Sequence, residues 1–213
     1  MKVEAQILQP EIDGGILVRF EKDDLKFLYD AVDKIQQDFD NYESNNIRLA
    51  GNIERQIVLP EEIRESIDKL LTPIVESHTK TFDYATRIGR QFEGEKYLLN
   101  LVQTWAVFQK KTEFNPVHSH NGIFSFVIWL KNPYDTEDEM VQPHSRKSNY
   151  QCAGHFAYFC TNTLGDIVQR VIPTDRKMEG CAFIFPATVN HCVYPFYTSD
   201  EYRISVSGNY VIS

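Results

Sequence analysis

At 213 residues, 42% hydrophobic and 24% charged, the chain has the composition of one globular domain with ample material for a core. Its net charge of −8, with no compensating basic stripe, argues against a domain built to grip nucleic-acid backbone. No apolar run reaches the roughly 18 residues that a membrane span requires.

The opening MKVEAQILQPEIDGG lacks the charged-then-apolar layout of a signal peptide. GILVRF (15–20) reads as a strand. The segment 22–42 carries apolar residues at Leu25, Leu28, Val32, Ile35 and Phe39, the spacing of an amphipathic helix, with Asp23 or Asp24 offering an N-cap. A second helix is expected over 59–82. Pro60 and two glutamates sit at its start, and Pro73 is expected to kink or divide it. From residue 97 the character changes. Segments 97–109, 123–130, 155–161, 166–173, 181–186, 191–197 and 202–212 all read as strands, and NTLG (162–165) joins two of them as a short hairpin connection. The high aromatic share of 13% suits such pleated surfaces.

These patterns predict a single, mainly β (α+β) domain over 1–213. Residues 1–96 supply a strand and helical support, and residues 97–213 form a jelly-roll core, a double-stranded β-helix buttressed on one face by the helices. The four cysteines, Cys152, Cys160, Cys181 and Cys192, form no CxxC pair and read as reduced thiols of a cytosolic protein, with Cys160 and Cys181 packed in strands. The polar stretch 131–154 is too long for a simple turn, as lid loops are. Its DTEDE reads as a solvated acidic tip, and the stretch is expected to cover the site and set specificity.

Within NPVHSHNG (115–122), His118 and His120 stand two residues apart in an extended segment, so both rings point to one side. At a rise of roughly 3.3 Å per residue they can converge on one ion. A third ligand is offered by His191, where a strand opens after the turn that follows Pro186. Further on, YRISVSGNY alternates, so Arg203, Ser205 and Ser207 face opposite to Ile204, Val206 and Tyr210. If that face is solvent, the Arg203 guanidinium merely meets water. If it is interior, the guanidinium is there to meet a carboxylate, with Ser205 adding a hydroxyl donor.

Taken together, His118-Ser-His120, His191 and Arg203-Ile204-Ser205 resemble the HxD/E…H…RxS signature of Fe(II)/2-oxoglutarate-dependent oxygenases. More narrowly, Trp105, FNPVHSH (114–120), FIFPATVNHCVYPF (183–196) and RISVSGN (203–209) resemble the small oxygenases of marine bacteria and their phages. The resemblance implies iron held by His118, His120 and His191. It implies 2-oxoglutarate held through its far carboxylate by Arg203 and Ser205, and oxidation of a substrate with release of succinate and CO₂. A peptidyl side chain, proline among them, or a small molecule is the implied substrate. One departure is plain: His120 stands where the family pattern has a carboxylate. Either it ligates, giving a three-histidine centre, or it turns away, leaving Glu113 or Asp135 as conceivable donors; ligation by His120 is the expectation, because imidazole suits iron.

Two other classes compete. A cupin-type three-histidine enzyme works without an oxoacid, but usually carries a glutamate four residues after the pair, where this chain has Phe124. A jelly-roll binding or structural protein requires that the three histidines do not converge. Elsewhere, His78 reads as an exposed helix residue, His155 as a turn or strand-edge residue that could line the mouth, and Trp105 as core packing. Asn100 and Gln103 precede the motif on a strand that could face the pocket.

Overall fold

Leu28, Ala31, Val32 and Ile35 form the buried stripe of helix α1 (Lys26–Gln37). Leu25 extends that stripe from a preceding 3₁₀ turn, Lys22–Leu25, and Phe39 continues it in a second one, Phe39–Asn41. The helix has no side-chain cap from Asp23 or Asp24; the 3₁₀ turn leads straight into it. The second helix, α2 (Glu61–Phe82), starts with the Pro60 carbonyl accepting from the amides of Ile63 and Arg64. It runs through Pro73 without dividing. The computed structural model describes residues 4–8, 14–82, 99–162 and 164–212, with side chains from residue 14 onward.

The strands are β1 (Glu4–Leu8), β2 (Gly15–Arg19), β3 (Arg55–Val58), β4 (Leu99–Gln109), β5 (Asn115–His118) and β6 (Phe124–Lys131). They continue with β7 (Phe156–Thr161), β8 (Ile167–Ile172), β9 (Cys181–Pro186), β10 (His191–Val193) and β11 (Arg203–Ile212). Among the described residues they form two sheets, a seven-stranded one in the order β1-β2-β9-β6-β11-β4-β3 and a four-stranded one in the order β5-β10-β7-β8. Every strand pairing is antiparallel. This is the expected mainly β jelly roll, with the helices on the outer face of its larger sheet.

The alternation of side chains builds two cores from one sheet. Phe124, Phe126, Ile128 and Leu130 of β6 join Ala182 and Ile184 of β9, and Ile204, Val206 and Tyr210 of β11, against the helices. Val127 and Trp129 point the other way and meet Phe183 and Phe185 of β9, and Phe156 and Tyr158 of the smaller sheet. A strand buried on both faces needs a continuous apolar run, which is what IFSFVIWL and CAFIFP supply. Each fully buried Phe adds about 1.5–3 kcal/mol relative to exposure. No helix of the described residues is long and apolar enough to cross a membrane.

Several local expectations are corrected. Strands β1 and β3 escaped the pattern reading, and β10 ends at Val193 rather than Tyr197. Residues 97–98 of the expected strand 97–109, and Thr163 of the NTLG connection, lie outside the described residues. Strand β5 ends at His118, so His120 sits in the turn beyond it. His78 is fully buried rather than exposed. It continues the α2 stripe of Ile67, Leu71, Ile74 and Val75, and its Nε2 bonds to the Gly14 carbonyl. Gly14 is required there: its φ is +94°, and a Cβ would lie 2.4 Å from that nitrogen. The DTEDE tip is a short helix, α3 (Thr136–Met140), in which Glu139 is fully buried. Its carboxylate accepts from the backbone amides of Tyr197 and Thr198 at 2.8 Å, and from the Thr198 hydroxyl. The four cysteines are free thiols; Cys181 is buried in β9 and Cys160 half-buried in β7.

Candidate metal centre

His118 and His191 are directly opposed across the β5–β10 pair, a register that sets their rings side by side. Their centroids lie 4.3 Å apart. His120 reaches the same point from the turn, anchored by its amide bonding to the Ala187 carbonyl at 2.9 Å. Its centroid is 4.9 Å from that of His118 and 5.0 Å from that of His191. One potential ligand atom from each of the three lies within 4.8 Å of the others. Two nitrogens bound to one ion at about 2.1 Å can be at most roughly 4.2 Å apart, so metal binding would draw the three rings closer together.

The tautomers suit a metal. The Nδ1 of His118 lies 2.7 Å from the Pro116 carbonyl, and the Nδ1 of His191 lies 3.0 Å from the Val189 carbonyl. A carbonyl only accepts, so both Nδ1 atoms carry the proton and both Nε2 lone pairs are free. Burial keeps the rings neutral. His191 is depressed to about 3 by desolvation, with the neighbouring His118 adding to it, and His120 to about 4 by the same two causes. His118 is also lowered by burial. Phe185 edge-on at 5.0 Å and Phe156 stacked at 5.5 Å pack around the His191 ring. The donor set, three neutral imidazoles with free lone pairs, fits a divalent transition metal. Neither acidic candidate joins it: Glu113 accepts from the amides of Glu54 and Lys110, and Asp135 pairs with Arg176.

The pocket holding the triad is a narrow cavity of about 50 Å³. Arg203, Ser205 and Ser207 line it from β11, on the face opposite Ile204 and Val206 as the alternation predicts. Arg203 is only 3% exposed. It donates through Nη1 to the Tyr134 hydroxyl at 2.7 Å and the Gly154 carbonyl at 2.8 Å. Through Nη2 it donates to the Gln109 Oε1 and to the Tyr194 carbonyl at 3.2 Å. Burial raises the Tyr134 phenol above its ordinary value, so it stays neutral. All four partners are therefore uncharged, and among the described residues no carboxylate pairs with this buried cation. Gly154 is essential to this arrangement: at φ +76°, a Cβ would come within 2.6 Å of the Tyr134 ring.

Stretch 131–154 contributes to the Arg203 end through Tyr134 and Gly154, yet none of its residues lines the pocket. Leu49, Ala50 and Ile53 line it instead, with Asn115 and Val193. Trp105 does pack, against Ile53 and Val107, but it also lines the pocket with its ring 5.8 Å from that of His120. His155 is buried and is not among the lining residues. Gln103 donates to Asn45 and Asn100 is exposed, so neither reaches the pocket. Sequence reasoning missed Gln109, although it lies on the same alternating face of β4 as Trp105 and Val107.

No curated protein matches the chain. Among solved structures, it is similar to a Pseudomonas putida prolyl-4-hydroxylase, at 16% identity and a TM-score of 0.49, over 90% of this chain and 88% of that one. It is also similar to a 2OG-Fe(II) oxygenase family oxidoreductase from Burkholderia pseudomallei, at 14% identity and a TM-score of 0.47, over 97% and 84% of the two chains. A family model described as "Putative 2OG-Fe(II) oxygenase" matches residues 103–209, from β4 through β11, which is half of the chain and includes all three histidines and Arg203. The chain belongs to the 2OG-Fe(II) oxygenase family, whose members use Fe(II) and 2-oxoglutarate.

Proposed function

We propose that the protein is a dioxygenase that hydroxylates a protein side chain or a small molecule, with His118, His120 and His191 holding the iron and Arg203 and Ser205 holding the far carboxylate of 2-oxoglutarate. Iron and 2-oxoglutarate, when bound, supply the oxidising chemistry by consuming dioxygen and releasing succinate and CO₂. The protein's own residues do the rest. The three imidazoles would hold the ion, and the carbonyls of Pro116 and Val189 keep two of them in the ligating tautomer. Apolar walls of Val127, Trp129, Phe156 and Phe185 exclude water. Apart from Arg203 no lining residue is charged, and the apolar Leu49, Ala50 and Ile53 in the lining favour an uncharged group on the substrate.

One observation carries the reading: a convergent histidine triad and a buried arginine without a counter-ion share one pocket. Leaving such a cation buried costs several kcal/mol unless an anion completes it. The test is a titration of 2-oxoglutarate into Fe(II)-loaded protein under nitrogen. A visible charge-transfer band saturating at one equivalent is expected. Iron binding without the band would favour the second reading, a three-histidine metal enzyme of the cupin type, which the absence of a carboxylate from the triad recommends.

A further inference from the structure

Arg203 is held by four oxygens, and one of them belongs to a side chain that could have been charged without any change of shape. Gln109, the last residue of β4, stands directly across the strand pair from Arg203. It is 2% exposed and lines the pocket. Its Oε1 accepts from the Arg203 Nη2, and its Nε2 donates to the Glu113 carbonyl. Both ends of the amide are used, so its orientation is fixed by the donor on one side and the acceptor on the other.

We propose that Gln109 determines co-substrate specificity by orienting Arg203 without neutralising it, so that the pocket keeps one uncompensated positive charge for the distal carboxylate of an oxodicarboxylate. This rests on the reading of Arg203 given above. A glutamate in this position would have the same length and would form a buried ion pair with Arg203. An incoming dicarboxylate would then meet a neutralised cation and a like charge beside it. Two buried carboxylates do not fill that role: Glu139 accepts from Tyr197 and Thr198, and Asp175 from Thr136 and the Lys177 amide. The second hydrogen bond gives Gln109 a further consequence. Glu113 closes the turn that leads into β5, where its side chain bonds the amides of Lys110 and Glu54. Gln109 therefore ties the cation to the segment that delivers His118, and positions the two ends of the pocket relative to each other.

The measurement compares 2-oxoglutarate with 2-oxopentanoate, which keeps the chelating oxoacid and lacks the far carboxylate. Dissociation constants are read from tryptophan fluorescence of Fe(II)-loaded protein under nitrogen, since Trp105 and Trp129 both line the pocket. The wild type should prefer 2-oxoglutarate strongly. Gln109→Glu should lose about tenfold or more of its 2-oxoglutarate affinity while its affinity for 2-oxopentanoate and for iron stays within about threefold, so that the discrimination collapses. Gln109→Met leaves Arg203 cationic but removes one of its four anchors; it should keep the discrimination and weaken 2-oxoglutarate by a few-fold. Wild-type discrimination in Gln109→Glu overturns the proposal, as does parallel loss of iron and both oxoacids in the Met variant, which would mark a purely structural role. Should the Glu variant fail to fold, an unaltered 2-oxoglutarate affinity in the Met variant overturns it instead. Equal binding of the two oxoacids by the wild type would refute the role of Arg203 itself, a separate failure.

Discussion

The position of His120 is where this protein departs from its family's pattern, and two substitutions ask what that position does. His191→Ala should abolish stoichiometric Fe(II) binding, measured by anaerobic titration, because only two imidazoles then remain. His120→Asp should retain it, since a carboxylate there restores the two-histidine, one-carboxylate set that suits Fe(II). Unchanged iron binding in the alanine variant would remove His191 from the centre. Much of this was legible in the sequence, because His118, His120 and the alternation around Arg203 are local patterns that depend only on strand periodicity. The partners of Arg203 were not. Tyr134 reaches it across 69 residues of chain and Gly154 across 49, and no periodicity connects residues on different elements. His78 shows the opposite error. Its place on the α2 stripe was visible, but a histidine on an apolar stripe is buried only if a distant acceptor exists, and that acceptor is the Gly14 carbonyl.

At the scale of elements, α3 is the part that sequence reasoning misjudged most, for a physical reason. Its acidic run looks solvated, and one of its carboxylates is instead the anchor for two backbone amides that follow Phe196. A carboxylate satisfied by backbone donors is inexpensive to bury. Glu139→Gln keeps the volume and turns an amide donor toward those same donors. It should destabilise the fold by about 1.5–3 kcal/mol in urea denaturation, while iron affinity stays unchanged because no α3 residue lines the pocket. A variant as stable as the wild type would show that the stretch 132–154 holds its place without this contact. The strands were read well where they are sandwiched between two cores, as β6 and β9 are. They were missed where they are short and polar, as in β3, whose four residues include Arg55 and the buried Gln56.

The whole molecule carries an unusual burden of buried neutral histidine. Burial lowers His78, His118, His120, His155 and His191, the last three to about 4, about 4 and about 3. The unfolded chain binds protons to these rings near pH 6.5, where the folded one does not. Metal-free protein should therefore be fully stable above that pH and lose stability as the pH falls from 6.5 toward 4. Each fully buried ring contributes up to about 1.4 kcal/mol per pH unit over that interval. Unfolding midpoints at pH 7.5 and 5 check this, and a flat profile would mean that the rings are charged in the fold. A last consequence follows from β2, which pairs with β9 so that Leu17 lies opposite Phe183. During synthesis this early strand must wait for about 165 further residues to emerge, on the order of ten to thirty seconds at typical translation rates. Through that interval the sheet that covers the apolar stripes of α1 and α2 lacks β9 and β11 and stays incomplete. The nascent chain is thus most exposed to aggregation before its metal-binding half has been made, and holdase chaperones should raise its soluble yield more than added iron does.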